Sequence, residues 1–169
     1  RDLHSFPTRR SSDLHISADV SLMLSEINTS TVETLLRANQ LLDQVKNMKD
    51  TSLVIHRIPI SELILVAWAD AASINRHDGG STQGIFIGAT SKEILEGRCS
   101  PVSAIAWHSS KMGRVCTSPG SSEAIAATNA EDILFFSRFQ LAEMLGHQVN
   151  IREPNSTVNK IVGCLVTDS

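Results

Sequence analysis

Cysteine is scarce in this 169-residue chain: there are three, Cys99, Cys116 and Cys164, and none stands in a CxxC or Cys/His spacing. That spacing excludes a recognisable zinc framework, and the odd number argues against a disulfide scaffold. Disulfides are rare in reducing compartments, so an intracellular, non-secreted protein is expected. No apolar run approaches the roughly 20 residues that a membrane-spanning helix needs, and a soluble chain without a membrane partner is expected. A cationic excess is missing too, with 15 Lys and Arg against 18 Asp and Glu and a net charge of −3. Bulk charge therefore gives no electrostatic footprint for nucleic acid. It does not exclude one, because an acidic site can meet phosphate through bound metal ions. No internal repeat or low-complexity tract is visible. What remains is ordinary globular material, 41% apolar, of about one domain's length.

The first residues stand apart. His4-Ser5-Phe6-Pro7-Thr8-Arg9-Arg10-Ser11-Ser12-Asp13-Leu14 resembles one reading frame of a common sequencing-library adapter. Residues 1–14 are accordingly read as a translation artefact, with the natural N-terminus expected to be missing. A basic, Ser-rich targeting peptide is the alternative, but the apolar h-region of a secretory signal is absent.

Residues 15–58 read as a helical segment and 59–169 as a sheet domain. Val20, Leu22, Met23, Leu24 and Ile27 crowd a first helix, which Asn28-Thr29-Ser30-Thr31 interrupts. Ser30 or Thr31 can cap a second helix, with Glu33 in its first turn. Val32, Leu35, Leu36, Asn39, Leu42 and Val45 follow at helical spacing. Leu53-Val54-Ile55-His56 predicts a short strand ended by Pro59.

From Leu63 to Ala71 the run is continuously apolar, as in a strand buried on both faces, and it is interrupted near its end by Asp70. Turn formers at residues 75–81 separate it from a second strand at 84–89, and a third is predicted at 102–107. Tight connections suggest an antiparallel meander. Ser118-Pro119-Gly120-Ser121-Ser122 announces a helix, with Ser121 or Ser122 as cap and Glu123 in the first turn. Its early face is alanine (124, 126, 127, 130), small enough for close approach to a strand, and its later part is bulky. A polar loop at 154–156 leads to Ile161–Thr167, another buried strand, followed by Asp168.

Three carboxylates thus occupy places where charge needs a partner. Asp70 and Asp168 each follow an apolar strand, and Glu123 opens a helix. If strands and helix pack together, the acids converge and call for divalent cations, for which oxygen ligands suit Mg²⁺ or Mn²⁺. Two such ions promote phosphodiester hydrolysis. Each acid also has a plainer reading: Asp70 and Asp168 as turn residues bonding the local backbone, Glu123 as a favourable first-turn acid. Glu131 and Asp132 read as solvated or as partners of Arg138. His77 and His108 read as surface histidines, Trp68 and Trp107 as core aromatics. Lys111 and Arg114 follow the third strand and are candidate phosphate contacts, or simply a solvated basic turn.

Several segments resemble the RNase H domain of copia-type (LTR) retrotransposon polyproteins. Val66-Ala67-Trp68-Ala69-Asp70-Ala71-Ala72-Ser73 is similar to its "(W/Y)-(S/A)-D-A-(D/S)" opening, and Asp78-Gly79-Gly80-Ser81-Thr82-Gln83-Gly84 to its "D-G-x-S-x-x-G" turn. Ala106-Trp107-His108-Ser109-Ser110-Lys111 resembles "I-x-W-x-S-(K/R)-(K/R)". Ser121-Ser122-Glu123-Ala124 with Ala130-Glu131-Asp132 resembles "S-S-x-x-A-E…A-E-D", and Val166-Thr167-Asp168-Ser169 a "(C/T)-D-(N/S)" strand end. The helices over 17–48 resemble, more loosely, the C-terminal tail of the reverse transcriptase that precedes this domain.

The resemblance implies an α/β fold: an incomplete RNase H-like mixed β-sheet of strand order three-two-one-four, with a long helix packed on it, preceded by a helical segment. It implies Asp70, Glu123 and Asp168 as catalytic, metal-binding carboxylates for Mg²⁺ or Mn²⁺. The activity implied is hydrolysis of RNA in an RNA–DNA hybrid, recognised by shape, phosphates and 2′-hydroxyls. Ser121, Ser122, Lys111 and Arg114 are candidate nucleic-acid contacts. The implied partners are the hybrid and the reverse transcriptase part of the same polyprotein, in cytoplasm, virus-like particle or nucleus. The family's fourth acid and later elements are absent, so weak or no activity is expected of the piece itself. A non-catalytic connection or binding domain of this fold, a degenerate element, or an integrase-type nuclease are the alternatives.

Overall fold

The computed structural model describes residues 10–48 and 50–167. Two helices come first, α1 (Arg10–Ser25) and α2 (Val32–Asn47), joined by a short 3-10 turn at Ile27–Thr29. Thr31 caps α2: its hydroxyl accepts from Thr34 N while the Thr34 hydroxyl accepts from Thr31 N. This reciprocal pair satisfies two donors that the first turn leaves open. Thr34, Ala38, Leu41 and Val45 turn the less exposed side of α2 inward. The other stripe stays in solvent, including Val32, Leu35, Leu36 and Leu42. α1 begins inside the segment read as adapter, whose residues 1–9 lie outside the described residues.

The expected strand at 53–56 does not form; residues 51–59 have no regular secondary structure. Its His56 N–H donates to the Ser103 hydroxyl at 2.9 Å rather than to a backbone carbonyl of a neighbouring strand. Val54 and Ile55 are 60% and 70% exposed, so the apolar run finds no sheet to cover it.

Four strands form one open mixed sheet: β1 (Leu63–Ala72), β2 (Thr82–Ser91), β3 (Ser103–Lys111) and β4 (Gly163–Val166), in the order β3-β2-β1-β4. β1, β2 and β3 are the expected antiparallel meander, and β4 runs parallel to β1. The central strand is covered on both sides, which explains its unbroken apolar run. Leu65, Ala67 and Ala69 join the core beneath the long helix α3 (Pro119–Met144), while Ile64 and Val66 are buried on the other face. A register shift falls between Ile87 and Gly88. There a side chain at Gly88 would strike Val102, Trp68 and Phe86.

α3 lies against β1 and β2 through Ser122, Ala126, Ala130 and Leu134, each at most 1% exposed. The i, i+4 spacing puts these on one face, and the small residues let the helix axis sit close to the sheet. The helix starts earlier than the sequence predicted. Ser118 is the cap, Pro119 occupies the first helical position, and the Ser118 and Ser121 hydroxyls each accept the other's N–H at 3.2 Å. Proline is pre-set for that position because it lacks the N–H that a first turn cannot satisfy. Ser121 is thus the far half of the capping box, and Glu123 falls in the second turn. The polar stretch expected as loop contains a short helix, α4 (Pro154–Val158), also opened by proline.

Among the described residues no helix is long and apolar enough to cross a membrane. Cys99, Cys116 and Cys164 are free thiols.

Candidate functional site

The candidate site lies where β1 runs out. Asp70 is exposed and stands opposite Gly84 of β2, which in turn faces Ser109 of β3. A side chain at Gly84 would meet nothing within 4 Å, so the space beside Asp70 is open. One carboxylate oxygen, Oδ1, accepts the Ala71 N–H at 2.7 Å. This is the local backbone bond of the plainer reading, and it orients the carboxylate without covering it.

α3 runs antiparallel to β1, as two contacts establish. Near its middle, Asn129 Nδ2 donates to Gln83 Oε1 at 2.6 Å, and Gln83 pairs with Ala71 at the C-terminal end of β1. Further along, Arg138 Nε donates to the Ile161 carbonyl at 2.8 Å and Nη2 to that of Val158 at 3.2 Å, beside Gly163, which pairs with Leu65. Burial lowers the Arg138 pKa from its ordinary value, opposed by the field of Glu131. Glu123, six residues before Asn129, therefore lies toward the end of the sheet that carries Asp70. It is half-buried, and its Oε2 is shielded from solvent.

Strand alternation puts Asp70 on the face opposite the Leu65, Ala67 and Ala69 side chains that meet α3. The two acids hence approach the end of β1 from different sides and can share a cation only around that end. Asp168, the third predicted acid, lies outside the described residues. Among the described residues no three His, Cys, Asp or Glu side chains gather as a metal site. Carboxylate oxygens are hard donors, of the kind that suits Mg²⁺ or Mn²⁺.

The candidate nucleic-acid contacts fare differently from one another. Ser122 is fully buried, and its hydroxyl donates to the Pro119 carbonyl at 2.7 Å, which makes it a packing residue. Ser121 serves the cap. Lys111 is held by Asp78 at 2.6 Å, which ties the β1–β2 loop to the end of β3. Arg114 is exposed, as are His77 and His108, and Glu131 and Asp132 are solvated.

Two features escaped the sequence reading. Trp68, Phe86 and Trp107 stand opposite one another across three strands, on the face that carries Asp70. Trp68 and Phe86 have ring centroids 5.6 Å apart. Both tryptophans are half-buried and line a cavity of about 530 Å³, with α1 (Leu14, Ser17, Ala18) as one wall and Asp70 and Thr167 at its end. Pairing the strands outward from the 75–81 turn would have revealed this row. The second feature is Arg76, only 8% exposed within a loop of turn formers, for which the sequence carries no signal.

No protein-family model, curated protein or solved structure matches this chain.

Proposed function

We propose that this chain is a piece of a copia-type retrotransposon polyprotein, joining the end of a reverse transcriptase to the first part of an RNase H-like domain. Its parent's reaction is Mg²⁺-dependent hydrolysis of RNA in an RNA–DNA hybrid. The observation that carries the reading is topological: an antiparallel meander with strand order β3-β2-β1-β4, whose central strand carries Asp70 near its end and whose fourth strand runs parallel beside it. In sequence, Asp70 follows Trp68 by two residues and Asp168 follows Val166 by two, and Trp68 pairs with Val166. Glu123 on the antiparallel helix is the third member.

Asp70, Glu123 and Asp168 would hold the ions. Bound Mg²⁺ or Mn²⁺ would activate water and stabilise the leaving oxygen of the phosphodiester. The chain's own contribution is position. β1 fixes the Asp70 backbone, the Ala71 N–H orients its carboxylate, and the capped start of α3 fixes the Glu123 backbone. The open space at Gly84 leaves room for a phosphate backbone to approach Asp70.

Calorimetric titration of the full chain with Mn²⁺ tests this. Binding is expected in the wild type and a loss of at least about tenfold in affinity in Asp70→Asn and in Glu123→Gln, the order seen when ligand shells are disturbed. Thermal unfolding should be little changed by Asp70→Asn. Equal Mn²⁺ affinity in wild type and Asp70→Asn rejects the site.

A further inference from the structure

We infer that α1 is a releasable strap, fastened across the aromatic row by Arg76 and undone by phosphate-type oxyanions. The fastening is specific. Arg76 Nη2 donates to the Ser21 carbonyl at 2.7 Å, and Nη1 to the Ser21 hydroxyl at 3.1 Å and the Thr82 hydroxyl at 3.3 Å. All three acceptors are neutral oxygens. The third guanidinium nitrogen, Nε, is buried with no hydrogen-bond partner. A buried guanidinium held this way has exchanged hydration for neutral oxygens, and the nearby Asp78 carboxylate acts on it through its field without a hydrogen bond. Oxyanions satisfy the planar fork better, through two parallel charge-assisted bonds.

One side of the fastening is rigid and the other is not. Arg76 N–H donates to the Gly80 carbonyl at 3.1 Å, and Gly79 N–H returns to the Arg76 carbonyl at 2.9 Å. Asp78 Oδ1 accepts from Gly80 N–H while Oδ2 takes Lys111, so the loop's own carboxylate is engaged elsewhere. Ile74 sits at a φ of 51° in the same loop, with its N–H on the Ser81 hydroxyl at 3.0 Å. A β-branched residue stays in that region only where its surroundings hold it. α1, by contrast, rests chiefly on β3 and α2, and the cavity of about 530 Å³ separates it from the aromatic row. While α1 is in place Arg76 is covered, so an oxyanion binds only the detached state and shifts the population toward it.

Release would uncover Trp68, Phe86 and Trp107, on the face where Asp70 is already exposed. The inference needs neither metal binding nor hydrolysis, so it stands or falls apart from the nuclease proposal. Its reporter is built in, because both tryptophans of the chain line this cavity. Acrylamide quenching of the full chain is compared in inorganic phosphate and in chloride at equal ionic strength. Phosphate is expected to raise quenching roughly twofold, as for a local opening well below global unfolding. Arg76→Met should show the raised value in chloride and no further response.

Hydrogen exchange on the wild type covers the case in which Arg76→Met fails to fold. In phosphate, amides of α1 should exchange faster while those of β1 and β2 stay protected. Quenching and α1 exchange that ignore phosphate overturn the inference. So does an Arg76→Met chain that folds and still responds as the wild type does.

Discussion

Single residues set limits here that composition cannot convey. Gly88 is the clearest case. It follows the register shift in β2, and a Cβ would come within 3.1 Å of Trp68, 3.2 Å of Phe86 and closer still to Val102. Val102 belongs to backbone entering β3 and the rings belong to the aromatic row, so none can swing freely away. Gly88→Ala is expected to cost about 1–3 kcal/mol, the usual range for overpacking, read as a lower denaturant midpoint at unchanged slope. An unchanged midpoint would mean the row is loosely packed. The place of Asp70 near the end of β1 was legible from sequence, because a charge closing an apolar run stands out in any fold. Arg76 was not legible, because a buried cation held by neutral oxygens leaves no pattern of spacing.

Among the elements, α3 shows most plainly where a sequence reading succeeds and where it slips. Its existence and its end near Leu145 follow from periodicity and composition; of the predicted alanine face, Ala126 and Ala130 are buried, Ala127 is half-buried and Ala124 is exposed. Its start was misread because several serines in a row can each cap a helix, and only the geometry of Ser118 with Ser121 selects one. Ser118→Ala removes the hydroxyl that accepts the Ser121 N–H. The change should cost about 1 kcal/mol by the usual value of an N-cap, measured by chemical unfolding. Because α3 carries Glu123, loosening of the first turns should also weaken Mn²⁺ binding without touching an acid. The segment at 53–56 failed for the opposite reason. Its residues favour a strand, but a strand exists only where a neighbour offers backbone groups, and here Ser103 offers a hydroxyl instead.

At the scale of the whole molecule, the sheet order is what the family resemblance implied and what local patterns alone do not determine. Parallel pairing of β4 with β1 joins residues about 100 apart in sequence, which no short-range signal encodes. The proposed three-acid site would be a property of this same scale, since Asp70 stands on β1 and Glu123 on α3, 53 residues later in the chain. Acid stability also belongs here. The hydrogen bond from Lys111, then that from Gly80, lowers the Asp78 pKa from its ordinary value, and Arg37 and Thr34 lower that of Glu26. A depressed carboxyl contributes stability above its unfolded pKa and loses it as pH falls through the folded one. Melting temperature should therefore begin to fall below about pH 4. Asp78→Asn should flatten that limb while leaving the curve above pH 6 unaltered in shape. A limb identical to the wild type would show that the Asp78–Lys111 bridge does not persist in solution.

Paramagnetic broadening by Mn²⁺ in the amide NMR spectrum tests the central claim most directly, since it reports where a cation sits. Amides of Asp70, Gly84, Glu123 and Thr167 should broaden together at substoichiometric Mn²⁺, with α2 and the C-terminal half of α3 unaffected. Broadening confined to one of Asp70 and Glu123, or centred on other carboxylates, would contradict a shared metal site at the end of β1.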